Sequence, residues 1–363
     1  MRRTVANSAL DTSVRDPKPG NLVYMVMNGS FRNGVPQIVS FVRSQAEALR
    51  NAGWLVCLGV VDNRTSPRGI LRNIRRLKGE VANAKPVLVH AQYGSVTAAV
   101  ANAIRGSLPF VISFCGDDLL GTPNAGVTWR LRSKVARLIG IYNARKAAAI
   151  IVKSDNLFDA LPQHLRSKAL ILPNGVDLDF FQPMDFHECR RRLNWSPESR
   201  IVLFNASQGE GTPNKNPELA RAALSHACTL IPNITMKAMS NSRPEEVRLM
   251  LNAADCLLVT SLHEGSPNIV KEAMACNLPV VSVNCGDVAE RLRAVRPGAV
   301  CNYDAKVLGR AVAEVFKAPL RSNGREQIIV QGLSASVVAS RIIEVYMRLL
   351  KEHSCVESLQ SLN

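Results

Sequence analysis

The chain has 363 residues, 47% apolar and 20% charged, a globular composition that excludes a fibrous or wholly disordered protein and, at ~150 residues per domain, suits two domains. Its net charge is +16, and the excess is lopsided: residues 1–180 hold 24 basic and 11 acidic side chains, residues 181–363 hold 21 and 18. Such a surplus points to an anionic partner and leaves nucleic acid, anionic lipid and phosphorylated metabolites open.

Met1–Gly20 is polar, without the apolar segment of a signal peptide, and reads as an N-terminal tail. Asn21–Asn28 (NLVYMVMN) is an apolar run of strand length. A turn follows over Gly29–Gly34, then a helix with Ile38, Val39, Val42, Ala46 and Leu49 on one face. Further strands are expected at Trp54–Val61, Pro86–Gln92, Pro109–Cys115, Ala149–Ser154 and Lys168–Pro173, with helices between most of them. Two of those helices are basic. Arg68–Lys78 carries four Arg and one Lys, with Ile70, Leu71, Ile74 and Leu77 on its apolar face. Trp129–Lys146 carries Arg130, Arg132, Lys134, Arg137, Arg145 and Lys146.

Pro173, Asn174, Gly175 and Pro183 punctuate a linker at Asn174–Asp185. The pattern then restarts, with strands at Arg200–Ala206, Ile234–Ser240, Cys256–Ser261, Leu278–Asn284 and Gly298–Asn302. Helices at Pro217–Leu230, Pro244–Ala254 and Asp304–Ala318 fill the gaps, and Ser334–Lys351 forms a last long amphipathic helix. Continuous apolar strands alternating with helices imply parallel sheets covered on both faces. The expected fold class is α/β, with two Rossmann-like doubly wound domains facing a cleft. The division is a tail at 1–20, a first Rossmann-like domain at 21–176, a second Rossmann-like domain at 177–335, and a terminal helix and tail at 336–363 that can return to the first domain.

The longest strictly apolar run, Ala147–Val152, is far short of the ~20 residues a membrane-spanning helix needs. Nine cysteines without a CxxC pair read as core thiols in a reducing compartment. The six histidines are dispersed, no metal cluster emerges, and no nucleic-acid recognition module is visible.

Chemistry concentrates in Cys256–Glu290. There a strand leads through Leu262–Ser266 into a helix for which Ser266 is the expected N-cap and Pro267 the first residue. Free amides and the positive end of the helix dipole make an anion site. Glu264 and Glu272 flank it as acceptors for sugar hydroxyls.

This E-x7-E block strongly resembles the nucleotide-sugar motif of the family 4 glycosyltransferases, retaining enzymes of the GT-B fold. Ile171–Pro183 (ILPNGVDLDFFQP) resembles that family's NGVD linker. Phe114–Leu119 (FCGDDL) resembles its F-H-G-x-D segment, and Gly29–Gln37 its glycine-rich loop. The resemblance implies that Glu272 binds the donor's ribose, that Glu264 contacts the transferred sugar, and that the amides of Gly265, Ser266, Pro267, Asn268 and Ile269 line sugar and diphosphate (Pro267 itself having no N–H). Lys215 would neutralise the diphosphate and Gly34 would let the backbone approach the donor. Asp118 joins Glu264 and Lys215 as a catalytic candidate, and Asn174 is a donor-side candidate. His90, Cys115 and Gly116 are acceptor-side candidates. Two departures are visible: no Arg precedes Lys215 in Asn205–Lys215 (NASQGEGTPNK), and Cys115 stands where the family has His.

The implied activity is hexose transfer from a nucleoside-diphosphate sugar to a sugar or lipid-linked acceptor, without a metal or other cofactor, in surface polysaccharide or glycolipid synthesis. The expected location is the cytoplasm, at the inner face of the membrane, with the basic helices on anionic lipid and no nucleic-acid partner. The alternatives are another GT-B enzyme, an epimerase or a phosphorylase, and a non-catalytic nucleotide-sugar binder.

Overall fold

Strands that are apolar at every position can be used only where both faces of a sheet are covered. In the computed structural model, which describes residues 20–33, 35–121, 127–206, 213–240, 242–317 and 321–360, two parallel sheets meet that condition. The expected N-terminal tail lies almost wholly outside the described residues.

The first sheet contains β1 (Leu22–Asn28), β4 (Leu55–Val61), β5 (Leu88–Gln92), β6 (Phe110–Phe114), β7 (Ala149–Val152) and β8 (Ala169–Ile171), in the order β4-β1-β5-β6-β7-β8. A small antiparallel hairpin, β2 (Ser30–Arg32) and β3 (Val35–Gln37), follows β1. The second sheet contains β9 (Arg200–Asn205), β10 (Ile234–Met239), β11 (Cys256–Val259), β12 (Val280–Val283) and β13 (Gly298–Cys301), in the order β10-β9-β11-β12-β13. The order reverses between β1 and β5 in one sheet and between β9 and β11 in the other. In open α/β sheets a crevice opens at such a reversal, beyond the carboxyl ends of the strands.

Alternate residues of β1 serve different cores. Val23, Met25 and Met27 pack with helix Ser40–Asn51, while Tyr24 and Val26 pack with helices Pro67–Ala84 and Ser95–Ile104 on the other face. The final helix, Ala335–Gln360, returns to the first sheet. Val338, Ile342, Val345 and Leu349 recur at helical spacing and join the core of β1 and Ser40–Asn51. The chain crosses between the sheets twice at one place, where Val176 bridges Ser334. No helix among the described residues is long and apolar enough to cross a membrane.

The basic helices differ from expectation. In Pro67–Ala84 the packed stripe is Asn73, Leu77 and Val81, with Ile70 and Ile74 half-buried, and Leu71 lies outside it, exposed. Helix Val127–Lys146 buries Gly140, Ile141, Asn143 and Ala144. Leu131, Val135, Leu138 and Tyr142 are 64, 49, 63 and 55% exposed, so an apolar stripe of this helix faces outward.

Candidate active site

The reversal between β9 and β11 gathers the donor-side candidates. Thr260, just past β11, donates its hydroxyl to the carbonyl of Lys215 at 2.8 Å. The Leu262 amide donates to the Asn214 carbonyl at 2.8 Å, and the Asn214 side chain donates to the His263 carbonyl at 3.1 Å. These bonds zip residues 213–216 to residues 260–264. The result is a close ion pair, with Lys215 Nζ 2.6 Å from Glu264 Oε1 and both side chains largely buried. Asn216 adopts a left-handed conformation and caps helix Pro217–Leu230, which fixes the chain leaving Lys215.

After Glu264 the backbone runs against the first domain. A Cβ on Gly265 would stand 2.9 Å from the Cys115 carbonyl, and one on Gly286 would stand 2.4 Å from the Gly265 carbonyl. Only glycine permits both approaches, and Gly286 also has φ +59°. Three side-chain bonds cross the seam: Asn156 to the Glu264 carbonyl at 3.0 Å, His263 Nε2 to Asp117 at 3.0 Å, and Asn174 to Asn268 at 3.3 Å.

The helix bearing Glu272 spans Asn268–Ala275. Its N-cap is Pro267, not Ser266 as expected. The Ser266 hydroxyl accepts a bond from Lys271 Nζ at 2.8 Å, so it anchors a side chain rather than the helix end. The amides at the helix start therefore have no side-chain cap. Glu272 lies on the second turn, half-buried, and burial pushes its carboxyl up to about 7 against the pull of Lys271. Burial pushes Lys271 down to about 8.

Two first-domain candidates take structural places. Asp118 is consumed as an acceptor by the amides of Gly94 (2.7 Å), Cys115 (3.0 Å) and Gly116 (2.8 Å). It holds the Cys115–Gly116 loop against Gly265 instead of facing the cleft with a free carboxylate. His90 is fully buried; its ring nitrogens meet Tyr346 of the final helix at 2.5 Å and Ser113 at 2.8 Å, which removes it from the acceptor surface. Burial also pushes its imidazole down to about 3. Gly34 and residues 207–212 of the Lys215 segment lie outside the described residues.

Sequence reasoning passed over Asn156, Asn214, Lys153 and Lys271. The two lysines left a signal, since each interrupts an apolar run (AIIVKS and NIVKEAMA). It also passed over an Asp-x-Asp at Asp177–Asp179; Asp177 accepts the amides of Asp179 and Phe180, as a turn carboxylate does. Among the described residues, no three His, Cys, Asp or Glu are grouped to hold a metal ion.

Residues 37–180 match the description "Glycosyltransferase Family 4" and residues 201–318 match "Glycosyl transferases group 1". The chain belongs to this group of glycosyltransferases. Among curated relatives, the D-inositol 3-phosphate glycosyltransferase of Segniliparus rotundus is 23% identical over 214 residues, 50% of this chain and 47% of that protein. The putative teichuronic acid biosynthesis glycosyltransferase TuaC of Bacillus subtilis is 23% identical over 219 residues, 56% of this chain and 54% of its own. The matched stretch thus spans about half the length of these relatives.

Solved structures agree in fold across nearly the whole glycosyltransferase. Sucrose-phosphate synthase from Thermosynechococcus elongatus superposes with a TM-score of 0.73 at 16% identity, covering 92% of this chain and 100% of that one. Anabaena HepE, solved with UDP-glucose, gives 0.66 at 14% identity, covering 90% and 99%. The fold is GT-B, two Rossmann-like domains facing a cleft.

Proposed function

We propose that this glycosyltransferase moves a hexose from a nucleoside-diphosphate sugar to a sugar or lipid-linked acceptor with retained anomeric configuration. One observation carries the reading. The Lys215–Glu264 pair, the uncapped start of Asn268–Ala275 and the Glu272 carboxylate line up at the strand-order reversal of the second sheet. That order suits a sugar, a diphosphate and a ribose in sequence. Glu264 and Glu272 accept hydroxyls, and Lys215 with the helix amides stabilises charge growing on the leaving phosphate. In the step, the bond from the anomeric carbon to the phosphate oxygen breaks and a bond to the acceptor oxygen forms on the same face. The acceptor's proton passes to the departing diphosphate, and no metal is assigned a part.

The acceptor reading rests on helix Val127–Lys146. Its outward stripe of Leu131, Val135, Leu138 and Tyr142 is flanked by Lys134, Arg145 and Lys146, with no acidic residue in the helix. Apolar side chains bordered by cations suit the interface of an anionic membrane, where each Lys or Arg adds roughly 1 kcal/mol. The helix lies against the short helix Asp117–Leu120 beside the seam, so a lipid-linked acceptor reaching the cleft from such a surface is consistent with it. Cytoplasmic synthesis of a surface polysaccharide or glycolipid follows as the setting.

The test is a panel of nucleoside diphosphates and then donor sugars. Binding and acceptor-dependent turnover, lost in Glu272→Ala with the fold retained, is the expected result. Conversion of donor alone would indicate an epimerase, a requirement for phosphate a phosphorylase, and binding without turnover a non-catalytic binder.

A further inference from the structure

The donor site as described so far is short of positive charge. A diphosphate brings at least two negative charges. Lys215 is already matched by Glu264 at 2.6 Å, and a helix start contributes only about half a charge. A second cation is needed, and the second-domain cations that stand by this loop are already engaged, Lys271 by Ser266 at 2.8 Å and Arg291 by Asp287 at 2.9 Å.

The first domain does. Lys153 follows β7 directly and is 2% exposed. Among the described residues its ammonium forms no hydrogen bond or ion pair. In the parallel register of β6 and β7, where Val152 pairs with Phe114, Lys153 comes level with Cys115. The Asp118 carboxylate is occupied by three amides, so it offers a field but no bond. Across the seam, the Lys271 ammonium of the second domain is tied to Ser266, next to Gly265. Cys115 is the residue whose carbonyl meets Gly265, and Asn156, three residues after Lys153, donates to the Glu264 carbonyl at 3.0 Å. A buried ammonium without a partner costs several kcal/mol, and a fold of this kind has apolar residues to spare for a strand end. Such a group is retained where an anion completes it.

We propose that Lys153 supplies the second counter-charge of the donor's diphosphate, from the domain opposite to the one that holds the nucleotide. The assignment rests on the donor-site reading above and adds a consequence: tight diphosphate binding requires both domains at the seam.

Calorimetry on the full chain with UDP, GDP and ADP, and with the matching monophosphates, tests this in the wild type, Lys153→Met and Lys153→Arg. For the base that binds, Lys153→Met should lose about tenfold or more in affinity for the diphosphate, the worth of one charge-assisted contact. Affinity for the monophosphate should change little, and Lys153→Arg should keep most of the diphosphate affinity. Lys153→Met should melt no lower than the wild type, since an unpaired buried charge has been removed; should it fail to fold, Lys153→Gln makes the same comparison. Wild-type diphosphate affinity in a folded Lys153→Met overturns the assignment and leaves the donor site standing. No diphosphate binding in the wild type overturns both. A loss seen with UDP-glucuronate but not UDP-glucose would place the ammonium on a sugar carboxylate and overturn the diphosphate assignment.

Discussion

The helices Asn268–Ala275 and Val127–Lys146 show opposite uses of charge. The first sits in the nearly neutral half, where Lys215 is paired with Glu264 and Arg291 with Asp287, and Lys271 is held by a hydrogen bond to Ser266. The second sits in the half with net +13; all its charged side chains are basic, and its surface also exposes apolar ones. A site that must grip one small anion needs few charges in fixed places. A surface that met a sheet of anionic headgroups, as proposed for this helix, would gain from number instead. The +16 of the chain therefore says little about the donor.

The sharpest way to break this contrast is Glu272→Ala, which should lower turnover by about a hundredfold or more while the melting temperature holds. Lys215→Met should follow, with about a hundredfold loss in kcat, as expected for a group stabilising a leaving phosphate; steady-state kinetics with a labelled donor reads both. Nucleoside-diphosphate affinity should rise from pH 6 to pH 8. Burial holds the Glu272 carboxyl up to about 7, and only its ionised form accepts both ribose hydroxyls. The same raised value means that this group lowers stability as pH rises from its unfolded value near 4.5 through 7. Glu272→Gln should then flatten the pH dependence of binding and melt slightly higher at pH 8. The smallest change in the purified enzyme belongs to the other helix. Leu131→Glu with Leu138→Glu should leave donor binding within about twofold yet abolish co-sedimentation with anionic vesicles. Equal sedimentation with neutral and anionic vesicles would return that helix to an ordinary solvated face.

Much of this was legible in the chain itself. The strand runs and the helix Pro217–Leu230 appear where periodicity puts them, because a strand covered on both faces must be apolar throughout and a proline and a cap mark a helix start. The E-x7-E block and the NGVD segment are local in sequence and survive as local structure. The surroundings of His90 and Asp118, like those of Lys153, were not legible. A polar residue in or beside a strand of this kind points either into the cleft or into a neighbouring element, and the neighbour is distant in sequence. His90 is answered by Tyr346, and Asp118 by Gly94. Helix Val127–Lys146 is apolar on more than one face, so spacing alone does not say which face packs. Its contact with Ser95–Ile104 decides.

The amino-acid order by itself determined the two α/β halves, the acidic pair beside a helix start and the imbalance of charge between halves. These depend on neighbours within one or two turns, or on simple counting. Tertiary structure alone decided which ions are paired, that Ser266 serves Lys271 and not the helix, and that His90 is enclosed by Tyr346 of the final helix. Pairing and burial are set by groups brought together from distant parts of the chain, and the free energy of a charge depends on what surrounds it.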